Sequence, residues 1–140
     1  MPKTISEIVR KKQKQKITVV TSYDYTMATL CDQVDILLVG DSAGMVMLGY
    51  VNTVPVTMDQ MCMFTEGVSN GRKNALIAAA LPNKSYENEV DAVANSQRLI
   101  NAGADAVKLE GRLPDIIKAI IKAGIPVMGH LGLLPQTAKK

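Results

Sequence analysis

Apolar residues recur along this chain in two alternating styles, short unbroken runs and longer stretches with apolar positions three and four apart. That alternation predicts five strand-to-helix units in succession. A helix is expected first, over about residues 4–14, opened by Thr4 with Glu7 three positions later, the spacing at which a hydroxyl and a carboxylate cap each other's backbone amides. Ile5, Ile8 and Val9 give it one apolar face. The β-branched run 17–21 reads as a strand, and Asp24 as the cap of a helix reaching about residue 33. A second strand follows over 36–39, then a glycine-containing loop over 40–57 and a helix over 57–69 with Gln60 at the capping-box position.

The same grammar continues to the end of the chain. Residues 76–81 read as a strand bounded by Pro82, and 85–101 as an amphipathic helix with Val90, Val93, Ala94, Gln97, Leu99 and Ile100 towards its buried side. Gly103 is placed to close that helix in the left-handed conformation. A strand is expected over 104–109, a helix from Pro114 to Ala123 with Gly124 after it, and a last strand over 125–128.

Strands apolar on both faces and separated by helices predict a parallel sheet covered by helices. A barrel and an open doubly wound sheet both satisfy the pattern. A complete barrel takes eight such units and typically about 250 residues, so the 140 residues here would supply about five of the eight. Taken as a barrel, residues 1–140 form a single incomplete (β/α) barrel domain preceded by its capping helix, with two strand edges left for association with another chain or a second copy; the pattern equally allows a fragment or an open sheet.

Composition narrows the classes. The chain is 47% hydrophobic, enough for one core, and its formal net charge is +3. Much of the positive excess sits at the two ends, in Arg10, Lys11, Lys12, Lys14, Lys16, Lys139 and Lys140, which is the distribution of solvated tails and faces. With 4% aromatic residues, no tryptophan and no interleaving of bases with aromatics, nucleic acid is not an expected partner. Cys31 and Cys62 form no CxxC pair and fall in predicted helices, the usage of buried thiols in a reducing compartment. No apolar stretch approaches the roughly 18 residues of a membrane span and none has signal-peptide form, so a cytoplasmic protein is expected.

Candidate chemistry lies at strand ends. Val39-Gly40-Asp41-Ser42 and Val107-Lys108-Leu109-Glu110 each close an apolar run with charged groups, and alternation along a strand aims Lys108 and Glu110 the same way, and Val39 with Asp41. Two carboxylates and an ammonium at strand ends read as a metal and oxyacid site, against the plainer alternatives of a loop cap for Asp41 and an interior ion pair for Lys108 and Glu110. His130, the sole histidine, is expected to follow the last strand in a structural or supporting role. Met45, Met47, Met58, Met61 and Met63 read as gap-filling core. The 40–49 loop lacks the order of a dinucleotide or P-loop fingerprint.

Five strings in order make the pattern specific: Thr21-Ser22-Tyr23-Asp24-Tyr25, Val39-Gly40-Asp41-Ser42-Ala43-Gly44-Met45, Thr53-Val54-Pro55-Val56-Thr57, Val107-Lys108-Leu109-Glu110-Gly111 and Gly129-His130-Leu131-Gly132-Leu133-Leu134-Pro135-Gln136. Together they resemble the N-terminal portion of the ketopantoate hydroxymethyltransferase family. The resemblance implies a (β/α)8 TIM barrel of the phosphoenolpyruvate/pyruvate superfamily type. It also implies one-carbon transfer from 5,10-methylenetetrahydrofolate to an α-keto acid, 3-methyl-2-oxobutanoate, in pantothenate biosynthesis. On the matching positions, Asp41 and Glu110 are implied as Mg2+ ligands, and Asp41, Ser42 and Lys108 as substrate-binding groups.

Two departures qualify that expectation. Where the family carries a metal-linked aspartate before a Leu-Pro pair, this chain has Ala80 before Leu81-Pro82, and the following Asn83, Lys84 and Ser85 are polar where the family is usually apolar. The glutamate resembling the family's general base belongs beyond residue 140. An impaired or inactive hydroxymethyltransferase half is therefore expected. The alternatives are a non-catalytic, associating subunit, or another Mg2+-dependent α-keto acid enzyme of the same superfamily.

Overall fold

A computed structural model describes residues 1–138; Lys139 and Lys140, counted above among the basic ends, lie outside the described residues. The elements run α1 (Ile5–Lys11), β1 (Val19–Thr21), α2 (Tyr25–Cys31), β2 (Ile36–Val39), α3 (Ala43–Leu48), α4 (Met58–Gly71), β3 (Leu76–Ala80), α5 (Glu89–Asn101), β4 (Ala106–Glu110), α6 (Pro114–Lys122) and β5 (Val127–His130). All four strand pairings are parallel, and the sheet keeps sequence order β1-β2-β3-β4-β5. A doubly wound sheet would reverse its order at a switch point. The unbroken progression is that of a (β/α) barrel, here with five of its strands.

Local chemistry sets the helix starts. Thr4 and Glu7 form a capping box on α1, and Thr57 and Gln60 form another on α4. Asp24 caps α2 by accepting from the Met27 amide, and Pro114 opens α6. Gly103, at φ +103, ends the turn between α5 and β4, as its position after the helix predicted.

Several boundaries differ from expectation, each for an identifiable reason. α1 stops at Lys11 rather than near residue 14, because Gln13 turns to positive φ. The 40–57 loop contains a helix, α3, which Gly49 ends in the left-handed conformation. α5 begins at Glu89, capped by Asn88, because Ser85 instead folds back to donate to the Pro82 carbonyl. Its buried side is Ala92, Ser96 and Leu99, and Val90 is exposed. Val9 likewise points to solvent. β4 and β5 begin two residues later than expected and extend further, so His130 belongs to the last strand instead of following it. Of the methionines, Met61 is fully buried in the core, whereas Met45, Met47 and Met63 are exposed.

Sheet alternation divides the apolar side chains into two clusters. Leu37, Val39, Ile77, Ala79, Val107 and Leu109 face the helices and pack with Ala28, Met61, Phe64, Val68, Leu99 and Ile120. Ile36, Leu76, Ala78 and Ala106 face the other way, into the concave interior, with Leu38 and Met128 beside them. Ile5 and Ile8 of α1 pack on this second cluster. α1 sits at the strands' N-terminal end: the Lys3 amide donates to Asn74 O at 2.7 Å, Lys3 Nζ to Val34 O at 2.6 Å and Lys11 Nζ to Asp35 Oδ1 at 2.6 Å. The opposite end, where the strands' C-termini gather, is left for polar groups.

Candidate functional site

Interior-facing positions climb the sheet in registered rows. Ala80 pairs with Lys108, Lys108 with Met128, and Glu110 with His130. The C-terminal rim of β3, β4 and β5 therefore presents an alanine, an ammonium, a carboxylate and an imidazole on one face. Lys108 Nζ lies 3.7 Å from Glu110 Oε1 and His130 Nδ1 lies 3.6 Å from the same oxygen, so the same-face relationship expected for Lys108 and Glu110 is present. His130 Nδ1 is buried and makes no hydrogen bond among the described residues.

Asp41 reaches this rim by a different route. β2 ends at Val39, whose side chain packs among the helices, and Asp41 lies in the turn that follows, so strand alternation does not pair the two as expected. Its carboxylate meets Gln136, from the segment after β5. Gln136 Nε2 donates to Asp41 Oδ2 at 2.7 Å and to the Leu81 carbonyl at 3.0 Å, while the Gln136 backbone amide donates to Glu110 Oε2 at 3.1 Å. Tyr86 closes the group by donating its hydroxyl proton to Gln136 Oε1 and accepting from the Glu110 amide at 3.4 Å. Asp41, Glu110 and Gln136 are all buried. Asp41, Leu81 and Tyr86 thus meet the Gln136 carboxamide, and Glu110 its backbone amide, so four separate segments converge on one residue.

Burial pushes the Asp41 carboxyl above the usual aspartate range. The Gln136 hydrogen bond and the Lys108 charge oppose that shift, and the Glu110 carboxylate adds to it. Burial also raises the Tyr86 phenol, which keeps it a hydrogen-bond donor across the working pH range.

Ser42 stands apart from this network. Its hydroxyl pairs with the Tyr23 hydroxyl at 2.7 Å and provides no side-chain cap to α3. Cys31 and Cys62 are partly buried free thiols on α2 and α4. A cavity of about 500 Å³ opens on the flank of the rim, between Tyr86, Glu110, Leu113, Ile116, Leu134 and Gln136.

Asp41 and Glu110 are the oxygen donors here able to hold a hard divalent cation. Among the described residues no three His, Cys, Asp or Glu side chains converge. Magnesium, however, is commonly held by only one or two carboxylates, with waters and ligand oxygens filling the remaining positions. Two buried carboxylates bridged by one residue and accompanied by an ammonium fit that requirement. Ala80, fully buried on the same rim, adds no oxygen.

Gln136 and Tyr86 were not among the residues singled out from sequence. The one available signal was a glutamine within the string that follows His130, since segments after barrel strands commonly carry functional polar groups.

A family model for ketopantoate hydroxymethyltransferase matches residues 2–140. Among curated relatives, 3-methyl-2-oxobutanoate hydroxymethyltransferase of Nitrosopumilus maritimus (strain SCM1) is 62% identical over 98% of this chain and 51% of its own length. The protein of the same description from Cenarchaeum symbiosum (strain A) is 60% identical over 91% of this chain and 50% of its own. The chain spans about half the length of these relatives. Among solved structures, a phosphonopyruvate hydrolase described in complex with oxalate and Mg++ superimposes with a TM-score of 0.74 at 13% identity, over 91% of this chain and 52% of that one. A 2,3-dimethylmalate lyase, described as a PEP mutase/isocitrate lyase superfamily member, gives 0.68 at 17% identity over 91% and 52%. At those identities the structures establish the fold alone, a partial (β/α) barrel. The match over nearly the whole chain, together with relatives above half identity, places this chain in the ketopantoate hydroxymethyltransferase family.

Proposed function

We propose that residues 1–140 form the first five units of a (β/α)8 barrel with α1 across its lower end, and carry the metal- and keto-acid-binding half of a 3-methyl-2-oxobutanoate hydroxymethyltransferase. The reaction proposed is one-carbon transfer from 5,10-methylenetetrahydrofolate to the α-keto acid, giving ketopantoate, in the cytoplasm and in pantothenate biosynthesis. The observation that carries this reading is the convergence of Asp41 and Glu110 on Gln136, with Lys108 beside them.

In this reading Asp41 and Glu110 hold Mg2+, which when bound draws electron density from the substrate's keto and carboxylate oxygens and acidifies the adjacent C–H. Lys108 contributes a fixed positive charge close to those oxygens. Ser42, beside Asp41, hydrogen-bonds the substrate carboxylate once its hydroxyl leaves Tyr23. The group that abstracts the proton is supplied from outside these residues.

Calorimetric titration of the chain with 3-methyl-2-oxobutanoate, with and without Mg2+, tests the binding half directly. Keto acid binding is expected only with the metal and is expected to be lost in Asp41→Asn. Binding that persists in EDTA and in Asp41→Asn would refute the reading.

A second reading, a non-catalytic subunit that associates through its strand edges, is favoured by Ala80 and by the edges of β1 and β5, with Val19 exposed on β1 and Leu131 exposed just after β5. Light scattering distinguishes it, since a monomer that binds no hydrophobic dye would count against association.

A further inference from the structure

The rim carboxylates come from separate segments, and among the described residues no hydrogen bond joins Asp41 to Glu110 directly. Gln136 touches both. Its side chain serves Asp41 and its backbone amide serves Glu110, so a single residue sets the spacing of the two groups.

The direction of its carboxamide is determined by its neighbours. The Leu81 carbonyl can only accept, so the Gln136 nitrogen must face it, and that same nitrogen has its second proton for Asp41 Oδ2. Gln136 Oε1 is then turned towards Tyr86. Tyr86 has its oxygen engaged by the Glu110 amide and its proton free to give. The chain of donors runs one way, from the Glu110 amide through the Tyr86 hydroxyl to Oε1, and from Nε2 to Asp41. Reversing the carboxamide would set oxygen against oxygen at Leu81 and at Asp41. Gln136 is buried, at 7% relative exposure, so solvent compensates a reversed carboxamide poorly.

We propose that Gln136 is a positioning residue that sets the mutual geometry of Asp41 and Glu110, and that Tyr86 orients its carboxamide for that task. The inference deepens the function proposed above and rests on that reading only for what the two carboxylates bind. Gln136 itself is not a ligand in this arrangement, because its nitrogen, not its oxygen, faces Asp41.

The test uses the 140-residue chain with selectively 13C-labelled carboxyl groups, compared by NMR among the parent chain, Gln136→Leu, Tyr86→Phe and Gly103→Ala. Gly103→Ala lowers stability at the opposite end of β4 and controls for general loosening. The Asp41 and Glu110 carboxyl resonances are expected to move in Gln136→Leu and to keep their places in Gly103→Ala. In Tyr86→Phe, exchange of the Gln136 side-chain amide protons with solvent is expected to accelerate by about tenfold or more, as the carboxamide that carries them loses its anchor at Oε1. In parallel, Mn2+ alone is titrated by electron paramagnetic resonance, and the dissociation constant is expected to rise about tenfold or more in Gln136→Leu, the usual effect of removing a group that orients metal ligands. Unchanged carboxyl resonances, or Mn2+ affinity equal to the parent's in Gln136→Leu, would overturn the proposal. If the parent binds no Mn2+ while its carboxyl resonances respond to Gln136→Leu as expected, the divalent-metal reading fails and the positioning role stands.

Discussion

Lys108 and Glu110, two residues apart on β4, project from one face of the strand and bring Nζ to 3.7 Å from Oε1 with both side chains largely withdrawn from solvent. Glu110 also faces His130 and accepts from the Gln136 backbone amide, and Asp41 accepts from the carboxamide of that same residue. Lys108 is thus the ammonium that balances two carboxylates gathered in a poorly hydrated rim.

Removing that ammonium leaves the acids uncompensated. Lys108→Met is expected to lower unfolding free energy by about 2 to 4 kcal/mol, since a buried ion pair costs most when only one partner is deleted. The double variant Lys108→Met with Glu110→Gln is expected to be more stable than Lys108→Met alone. Urea unfolding of the two single variants and the double variant measures this coupling, and strict additivity would contradict it.

Ala80→Asp sets a third carboxylate in the row beside Lys108, near Asp41 and Glu110. In EDTA its melting temperature is expected to fall below that of the parent chain, and Mg2+ is expected to raise it by more than it raises the parent's, because the ion binds the folded arrangement. The same variant is expected to give no hydroxymethyl transfer by itself, since a ligand oxygen does not supply a proton-abstracting group. Full turnover from this one change would contradict that expectation.

Asp35 ties the lower end of the fold together. The ammonium of Lys11 holds its carboxyl well below the usual aspartate range, with further hydrogen bonds from the Thr18 amide and from Lys3. A carboxylate with a depressed folded-state value stabilises the fold above its unfolded value, and that contribution fades as pH falls. Stability is therefore expected to decline as pH drops below about the ordinary aspartate value of 3.8. Asp35→Asn should be less stable at neutral pH, by about 2 kcal/mol for hydrogen bonds to a charged group, and should lose less on acidification. Thermal melts of both chains from pH 7 to pH 2 provide the comparison. Asp41 has the opposite sign: its raised value makes the fold comparatively better off below the ordinary aspartate range, a contribution lost as pH rises through the folded-state value.

Gly103→Ala combines a backbone penalty with a steric one. The residue sits at φ +103, and an added methyl would collide with the Ser69 side chain on α4. A loss of about 2 kcal/mol or more is expected in denaturant unfolding, with the Mn2+ affinity of the rim unchanged.

The sequence's reach was uneven, and the unevenness has physical causes. Strand β2 was legible to the residue because four successive apolar side chains are bounded by a charged residue and a glycine. The capping boxes of α1 and α4 were legible because their partners lie three residues apart. The start of α5 was not, because Ser85 and Asn88 are both competent caps and only the fold-back of Ser85 onto Pro82 decided between them. α3 was missed since its exposed apolar face reads like a loop of mixed hydrophobicity.

Sequence by itself determined the repeating strand-and-helix order, the family, and the shared face of Lys108 and Glu110, because each depends on spacing within one segment or on strings read in order. Tertiary structure alone decided that Val39 and Asp41 part company and that Ser42 turns to Tyr23. It alone brought Gln136 to Asp41, residues separated by 95 positions. Hydrogen bonds between distant segments leave no periodicity in a chain; they exist only once packing of the strands has carried their ends to a common rim.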